Sequence, residues 1–337
     1  MARRWKKIVS LTLLTIVCVL ALAITLTIGW RPIIGARARS LTNRQFERTP
    51  AREARGRYLA ENVMACFDCH SEKNWNAPGA PPVEGKAGAG RDWSAEGLPW
   101  LVTSNITPDL STGAGAWTDD QLARAIREGI GHDGRALFPV MPYMIYRELS
   151  DEDLASLIVY LRTLAPVRNA LPQTQVPFPL SRLIQDAPRP LTAVVPPHDA
   201  ADRAKHGEYL VKMSGCASCH TAQDKGQPLP GLEFAGGYKL KYPGGEIISA
   251  NITPHSTGIA YYDEQLFLDV MRTGHVRARS LNSVMPWVFY RGMTDEDLKA
   301  IYAYLRALWP VNHAVDNVEP PTACKLCKQR HGSGERN

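Results

Sequence analysis

Concentrated charge of one sign is missing from this chain. Lys and Arg total 39, Asp and Glu 33, the net charge is +6, and no long basic run lies outside the termini. Nucleic acid is therefore not an expected partner. Spare cysteine is missing too. Of seven, Cys18 lies in an apolar segment, four fall into two matching motifs, and Cys324 and Cys327 lie near the end, so none is left for a disulfide joining the two halves. No comparable alternating strand signal accompanies the helical periodicity described below, so the body reads as all-α. Long apolar runs are also scarce: past the first thirty residues or so, no stretch suffices to cross a bilayer.

The one such run is Ile8 to Ile28, preceded by Arg3, Arg4, Lys6 and Lys7 and followed by Trp30, a residue suited to the interface. Ala21-Leu22-Ala23 resembles a signal-peptide cleavage site, but the run continues past it, which favours an uncleaved anchor over residues 1–30. Arg31, Arg37, Arg39 and Arg44 follow the span, so the charge rule leaves its orientation open.

What is abundant is repetition. Cys66-Phe-Asp-Cys69-His70 returns as Cys216-Ala-Ser-Cys219-His220. Cys-x-x-Cys-His is the attachment signature of c-type haem: two thiols can each add to a vinyl group, and the histidine is then placed to ligate iron. Gly56-Arg-Tyr58-Leu59 returns as Gly207-Glu-Tyr209-Leu210, and Asn105-Ile-Thr-Pro108 as Asn251-Ile-Thr-Pro254. Val140 to Val167 aligns without gaps to Val284 to Val311, with fifteen of 28 positions identical. This is duplication of a whole domain, with a longer period than a solenoid repeat. The expected organisation is a first haem domain over 46–170, a Pro-rich linker over 171–200, a second domain over 201–313 and a polar tail over 314–337. Seven prolines between Leu171 and Ala200 exclude a long helix there and favour an extended connector.

Caps and spacing place the helices. Ser150-Asp-Glu-Asp153 opens one, with Leu154, Leu157, Ile158 and Leu161 on one face, and Thr294-Asp-Glu-Asp297 opens its counterpart with Leu298, Ile301, Tyr302 and Leu305. Pro166 and Pro310 stop both. Thr118-Asp-Asp-Gln121 opens a helix ending near Gly129, matched by one from about Asp263 to Gly274. Segments 71–104 and 221–250 are rich in Gly and Pro and lack period, as befits chain wrapped around a haem.

Each iron with one histidine takes a ligand opposite or keeps an open site. Met141 and Met285 occupy equivalent Val-Met-Pro positions about seventy residues after their histidines. A thioether opposite imidazole suits electron transfer and raises the potential. Met144 competes in the first half, but its counterpart is Val288. His132 and His275 do not align with one another and read as surface or loop residues. Two closed, six-coordinate irons weigh against oxygen or peroxide chemistry. Asn105 and Asn251 are candidates for hydrogen bonds near the haem edge, Arg147 and Arg291 for propionate partners, with turn chemistry and surface placement as the alternatives. Tyr143 and Trp287 are expected to pack against haem or core. Cys324-Lys-Leu-Cys327-Lys328 has haem-like spacing without the histidine. It is expected as a vicinal disulfide-type loop or an unpaired thiol pair in a disordered end, ahead of a third haem. His331 adds a further possible metal ligand.

Together, the two Cys-x-x-Cys-His motifs, Asn-Ile-Thr-Pro with a following Thr-Gly, Asp-Asp-Gln-Leu, Met-Pro-Tyr and Ser-Asp-Glu-Asp-Leu resemble the membrane-associated cytochrome c subunits of bacterial periplasmic dehydrogenases, notably the alcohol and gluconate complexes. The resemblance covers most of residues 50–312 and implies two tandem class I-like cytochrome c domains. It implies thioethers at Cys66, Cys69, Cys216 and Cys219, and iron ligands at His70, Met141, His220 and Met285. Many members carry three haems, whereas two full motifs stand here. Covalent haem attachment of this type takes place outside the cytoplasmic membrane, so the expected location is the inner membrane, single-pass, with the haem domains in the periplasm. The expected role is electron transfer through two covalently attached haem c groups, without catalytic residues of its own. Electrons would pass from a dehydrogenase to quinone, an oxidase or a soluble cytochrome. The rival readings are a diheme enzyme, such as a thiosulfate dehydrogenase or a cytochrome c peroxidase, and a haem-based sensor.

Overall fold

The computed structural model describes residues 2–337, with side chains from Arg4 onward. Seven helices carry the architecture: α1 (Ala2–Leu26), α2 (Pro50–Tyr58), α3 (Asp119–Glu128), α4 (Asp151–Leu161), α5 (Arg203–Met213), α6 (Glu264–Thr273) and α7 (Asp295–Ala307). The expected caps are in place: the Ser150 hydroxyl accepts from Asp153 N–H and that of Thr294 from Asp297 N–H, each at 3.1 Å. Asp263 accepts from Leu266 N–H at 2.7 Å, and α6 ends on Gly274 in the left-handed conformation.

The expectation of an all-α body needs correction. Among the described residues, five short antiparallel pairs accompany the helices. The longest, Lys239–Tyr242 against Gly245–Ile248, turns through Pro243-Gly244, and Arg91–Trp93 pairs with Leu98–Thr103 across a bulge. Both lie inside the segments expected to lack regular structure. The Pro-Gly-Gly turn and the alternation of Lys239-Leu-Lys-Tyr242 are a genuine hairpin signal. It is only two short strands long, too brief to stand out beside the helical periodicity.

The residues fall into two compact units. One comprises the chain up to Asn43 with 120–147 and 176–193; the other comprises 44–119, 148–175 and 194–337. In the first, Asp120 of the Asp-Asp-Gln-Leu motif is fully buried and takes both Nη atoms of Arg39, at 2.8 and 2.7 Å, while Arg39 Nε reaches Glu128 at 2.7 Å. Burial alone would push the Asp120 carboxyl up. The Arg39 hydrogen bonds and charge and the Thr42 N–H outweigh it and hold the group at about 2. The stretch that follows the apolar helix is thus pinned to α3. α1 itself includes one segment, Arg4–Leu26, long and apolar enough to cross a membrane, and none of it is buried in the protein.

In the second unit, α2 crosses α4 and α5 crosses α7 at glycines. A Cβ on Gly56 would stand 1.9 Å from the Ser156 carbonyl oxygen, and one on Gly207 2.0 Å from that of Ala300. The crossings are joined reciprocally. Asp153 of α4 takes Arg55 of α2 through two bonds, at 2.7 and 2.9 Å, and the Tyr209 hydroxyl of α5 at 2.8 Å. Asp297 of α7 takes the His206 ring of α5 at 2.6 Å and the Tyr58 hydroxyl of α2 at 2.5 Å. Each repeat's tyrosine therefore reaches the other repeat's aspartate. Burial pushes the Asp153 carboxyl up, but Arg55 and Tyr209 bring it below its usual range.

The linker contains only a four-residue helix, Leu180–Leu183, and a 3-10 turn, as its prolines require. Its first part runs beside Leu98–Thr103, with Gln175 N–H on the Trp100 carbonyl at 2.8 Å. The tail is folded, against expectation. Thr322–Ala323 pairs with Arg330–His331, and the Asn317 side chain binds both backbone groups of Ile248 at 2.9 Å. Local pairing and buried side chains hold it where composition alone suggested a loose end.

Candidate haem attachment sites

Both motifs are entered through a left-handed residue that opens a short helix. α2 continues through a π-helical stretch, Leu59–Val63, and a left-handed residue then turns the chain into the next short helix. That residue is Ala65 before Cys66–Cys69, and Gly215 before Cys216–His220. The turn winds each Cys-x-x-Cys into one helical turn, which puts its two sulfurs three positions apart on a single stretch. Burial pushes the thiols of Cys66, Cys69 and Cys216 up to about 12 and that of Cys219 to about 11.

The histidines are oriented identically. His70 Nδ1 donates to the Ser104 carbonyl at 2.8 Å and His220 Nδ1 to the Ala250 carbonyl at 2.7 Å. With the proton held at Nδ1, Nε2 keeps a free lone pair, the state an iron ligand needs. Burial lowers the affinity of both rings for a second proton, which keeps them neutral. The carbonyl oxygens of the motif histidines are also engaged: Gly90 N–H binds that of His70 at 2.8 Å, and Gly236 N–H that of His220 at 2.7 Å.

Ser104 and Ala250 immediately precede the two Asn-Ile-Thr-Pro loops, which explains why that loop is duplicated. Asn105 and Asn251 are buried. Each Oδ1 accepts from the backbone N–H and hydroxyl of the threonine two residues on, and each Nδ2 donates to the carbonyl of Val167 or Val311. The asparagines therefore fasten the loop that presents the histidine-binding carbonyl to the chain leaving the last helix of each repeat. Turn chemistry was one of the alternatives for these residues. The part played by the Ser104 and Ala250 carbonyls left no side-chain signal to find. Asn251→Ala is expected to leave covalent haem in place but to lower stability by about 2–4 kcal/mol, because it strands several buried partners. Thermal melting followed in the Soret band measures this.

Met141 and Met285 sit in matching loops. Met141 N–H binds the Phe138 carbonyl at 3.1 Å and Met285 N–H that of Asn282 at 3.0 Å. The following prolines have nearly equal backbone angles. Tyr143 and Trp287 are buried in the core, each seated over a left-handed glycine, Gly129 or Gly274, where a Cβ would strike the ring. Met144 is exposed. His275 is exposed with its ring on the Thr273 carbonyl, and His132 lies in a loop where its carbonyl accepts from Gln121. Arg147 donates to the carbonyls of Arg189 and Pro190, and Arg291 lies over the Trp287 ring.

Within the larger unit the two motifs are brought together. Gly79, in the loop after the first motif, lies against Trp287 and Val288 of the second repeat, and its N–H reaches the Ser283 hydroxyl at 3.2 Å. The charges of Asp68, within the first motif, and Lys73, just after it, bear on the Cys219 thiol of the second.

A cytochrome c family model matches residues 53–165 and again 204–309. Over 270 residues the chain is 31% identical to the fructose dehydrogenase cytochrome subunit of Gluconobacter japonicus, covering 76% of this chain and 52% of that one. It is 27% identical over 294 residues to the cytochrome c subunit of the quinone alcohol dehydrogenase of Gluconacetobacter polyoxogenes, covering 81% and 59%. A diheme cytochrome c-type protein of Cereibacter sphaeroides is 30% identical over 256 residues, covering 72% of this chain and 81% of its own. The chain spans between half and three-fifths of the two dehydrogenase subunits. With both family-model regions placed over the duplicated motifs, this chain belongs to the cytochrome c family.

Proposed function

We propose that the protein is a membrane-anchored diheme cytochrome c that passes electrons from a periplasmic dehydrogenase toward the respiratory chain. The observation that carries this reading is the matched orientation of His70 and His220, each Nδ1 fixed on a backbone carbonyl and each Nε2 left free. Haem c would be held by thioethers at Cys66 and Cys69 and at Cys216 and Cys219, one per repeat. Met141 and Met285, equivalent in sequence and in local backbone, would supply the opposite ligands. When bound, the haem supplies one-electron chemistry, and the protein sets the potential through ligands and burial.

The residues of this chain do the rest. The Ser104 and Ala250 carbonyls hold the imidazole tautomer, the Asn-Ile-Thr-Pro loops hold those carbonyls, and the reciprocal Tyr–Asp bonds keep the two repeats together for transfer between centres. The relatives named as dehydrogenase subunits support a dehydrogenase as donor. Quinone, an oxidase or a soluble cytochrome is the acceptor in this reading. α1 would anchor the chain in the cytoplasmic membrane with the body in the periplasm, over the domain limits 46–170 and 201–313.

The oxidised full-length protein tests the reading. Two covalent haems per chain and purely low-spin optical and electron paramagnetic resonance spectra are expected. A high-spin signal would mean an open iron and would favour the diheme enzyme.

A further inference from the structure

Among the described residues, and outside both attachment motifs, one cluster of side chains has the chemistry of a metal site. His313, Cys324, Cys327 and His331 are all buried, at 0, 4, 1 and 2% exposure. Their ligating atoms lie within 4.8 Å of one another. Cys324 Sγ is 3.5 Å from His313 Nε2, and Cys327 Sγ is 3.3 Å from His331 Nε2. Donors about 2.0–2.3 Å from a common tetrahedral centre stand at separations of about 3.2–3.8 Å, so one ion fits among the four with little movement.

The surroundings select the ligating form of each group. His313 Nδ1 donates to the Ala235 carbonyl at 2.8 Å, and His331 Nδ1 to the Gly332 carbonyl at 2.7 Å. Both rings therefore turn Nε2 toward the thiols, as a backbone-bonded metal ligand does. Cys327 N–H points at Cys324 Sγ at 3.4 Å, a bond that favours sulfur carrying negative charge. Around the cluster lie Ala222, Leu232 and Ala235, with no room to spare: a Cβ on Gly237 would meet both Cys327 and His313 at 2.7 Å.

We propose that these four residues bind a structural zinc ion. Two thiolates and two neutral imidazoles form the Cys₂His₂ set that zinc takes in closed tetrahedral sites. Binding displaces the two thiol protons to solvent, and two thiolates balance the dication, so the filled site is neutral and tolerates its burial. The ion would tie the tail to the Ala235 loop. That loop also delivers Gly236 N–H to the His220 carbonyl, so the clamp would steady the second haem motif without touching the haem. A simple disulfide between Cys324 and Cys327 leaves both histidines, aimed at the sulfurs, without a task.

The test uses the purified full-length holoprotein, prepared without chelator, with zinc measured by mass spectrometry and haem counted separately. One zinc per chain is expected. Absorption fine structure at the zinc edge, where haem iron is silent, is expected to show two sulfurs at about 2.3 Å and two nitrogens at about 2.0 Å. Cys324→Ser with Cys327→Ser should lose zinc, keep both haems and melt at a lower temperature. Should that variant fail to accumulate, His331→Cys preserves four donors and is expected to keep zinc with three sulfurs. Protein that carries no zinc and takes up none after thiol reduction, or one whose mass shows a Cys324–Cys327 disulfide, would overturn the proposal.

Discussion

If Met285 is the iron ligand we propose, alanine in its place is expected to remove the methionine–iron charge-transfer band of one haem in the oxidised protein and to lower that haem's potential by on the order of a hundred millivolts. The sulfur of a thioether is soft and favours ferrous iron. Its loss leaves water or a harder ligand, which favours the ferric state. The loop is expected to survive the change, because its shape does not depend on the methionine side chain. Met285 N–H is bound to the Asn282 carbonyl, Val284 N–H to Asn282 Oδ1 at 2.9 Å, and Trp287 is locked over Gly274. The first repeat is built alike, so Met141→Ala should remove the second half of the band, and Met144→Ala should leave it untouched. Spectroelectrochemical titration of the three variants measures both effects. A band unchanged in Met141→Ala and in Met285→Ala refutes the ligand assignment and turns attention to an open or differently ligated iron.

What was legible in the sequence is whatever depends on local pattern or on the comparison of two copies. The helix starts at Ser150 and Thr294 follow from side chains capping their own backbone, and the start near Asp263 follows from its repeat partner; all three are found where expected. Duplication singled out the Asn-Ile-Thr-Pro loops before any geometry explained them. Their service, delivering the Ser104 and Ala250 carbonyls to the histidines, is done by backbone, which carries no residue signature. The hairpin at Lys239–Ile248 leaves little trace in the sequence, because four-residue strands barely establish a period. Cys324, Cys327 and His331 were visible as a short cluster in a polar tail. His313 completes the set from the chain just after α7, and only the fold reveals that it meets them. The Tyr58–Asp297 and Tyr209–Asp153 bonds join residues 239 and 56 positions apart, a distance that no local pattern spans.

Those reciprocal bonds rest on two helix crossings, and the crossings rest on glycine. Gly207→Ala is expected to lower stability by about 2–4 kcal/mol and Gly56→Ala by a similar amount. Two effects compete. Alanine favours helix over glycine by about 1 kcal/mol, which by itself would stabilise α2 and α5. Against this, the new methyl group meets backbone: the Ala300 carbonyl oxygen at 2.0 Å in one crossing, the Ser156 carbonyl oxygen at 1.9 Å in the other. A carbonyl inside a helix cannot swing aside as a side chain does, so the helices must move apart. That separation also draws Tyr58 and Tyr209 from the aspartates of the opposite repeat, so the packing loss exceeds the gain in helix propensity. Because the two crossings share these bonds, the double variant should depart from additivity. Melting of the single and double variants, followed by far-ultraviolet and Soret dichroism, measures both claims. Single variants as stable as the parent would show that the crossings part without cost, and the tyrosine–aspartate bonds would then have to hold the repeats together on their own.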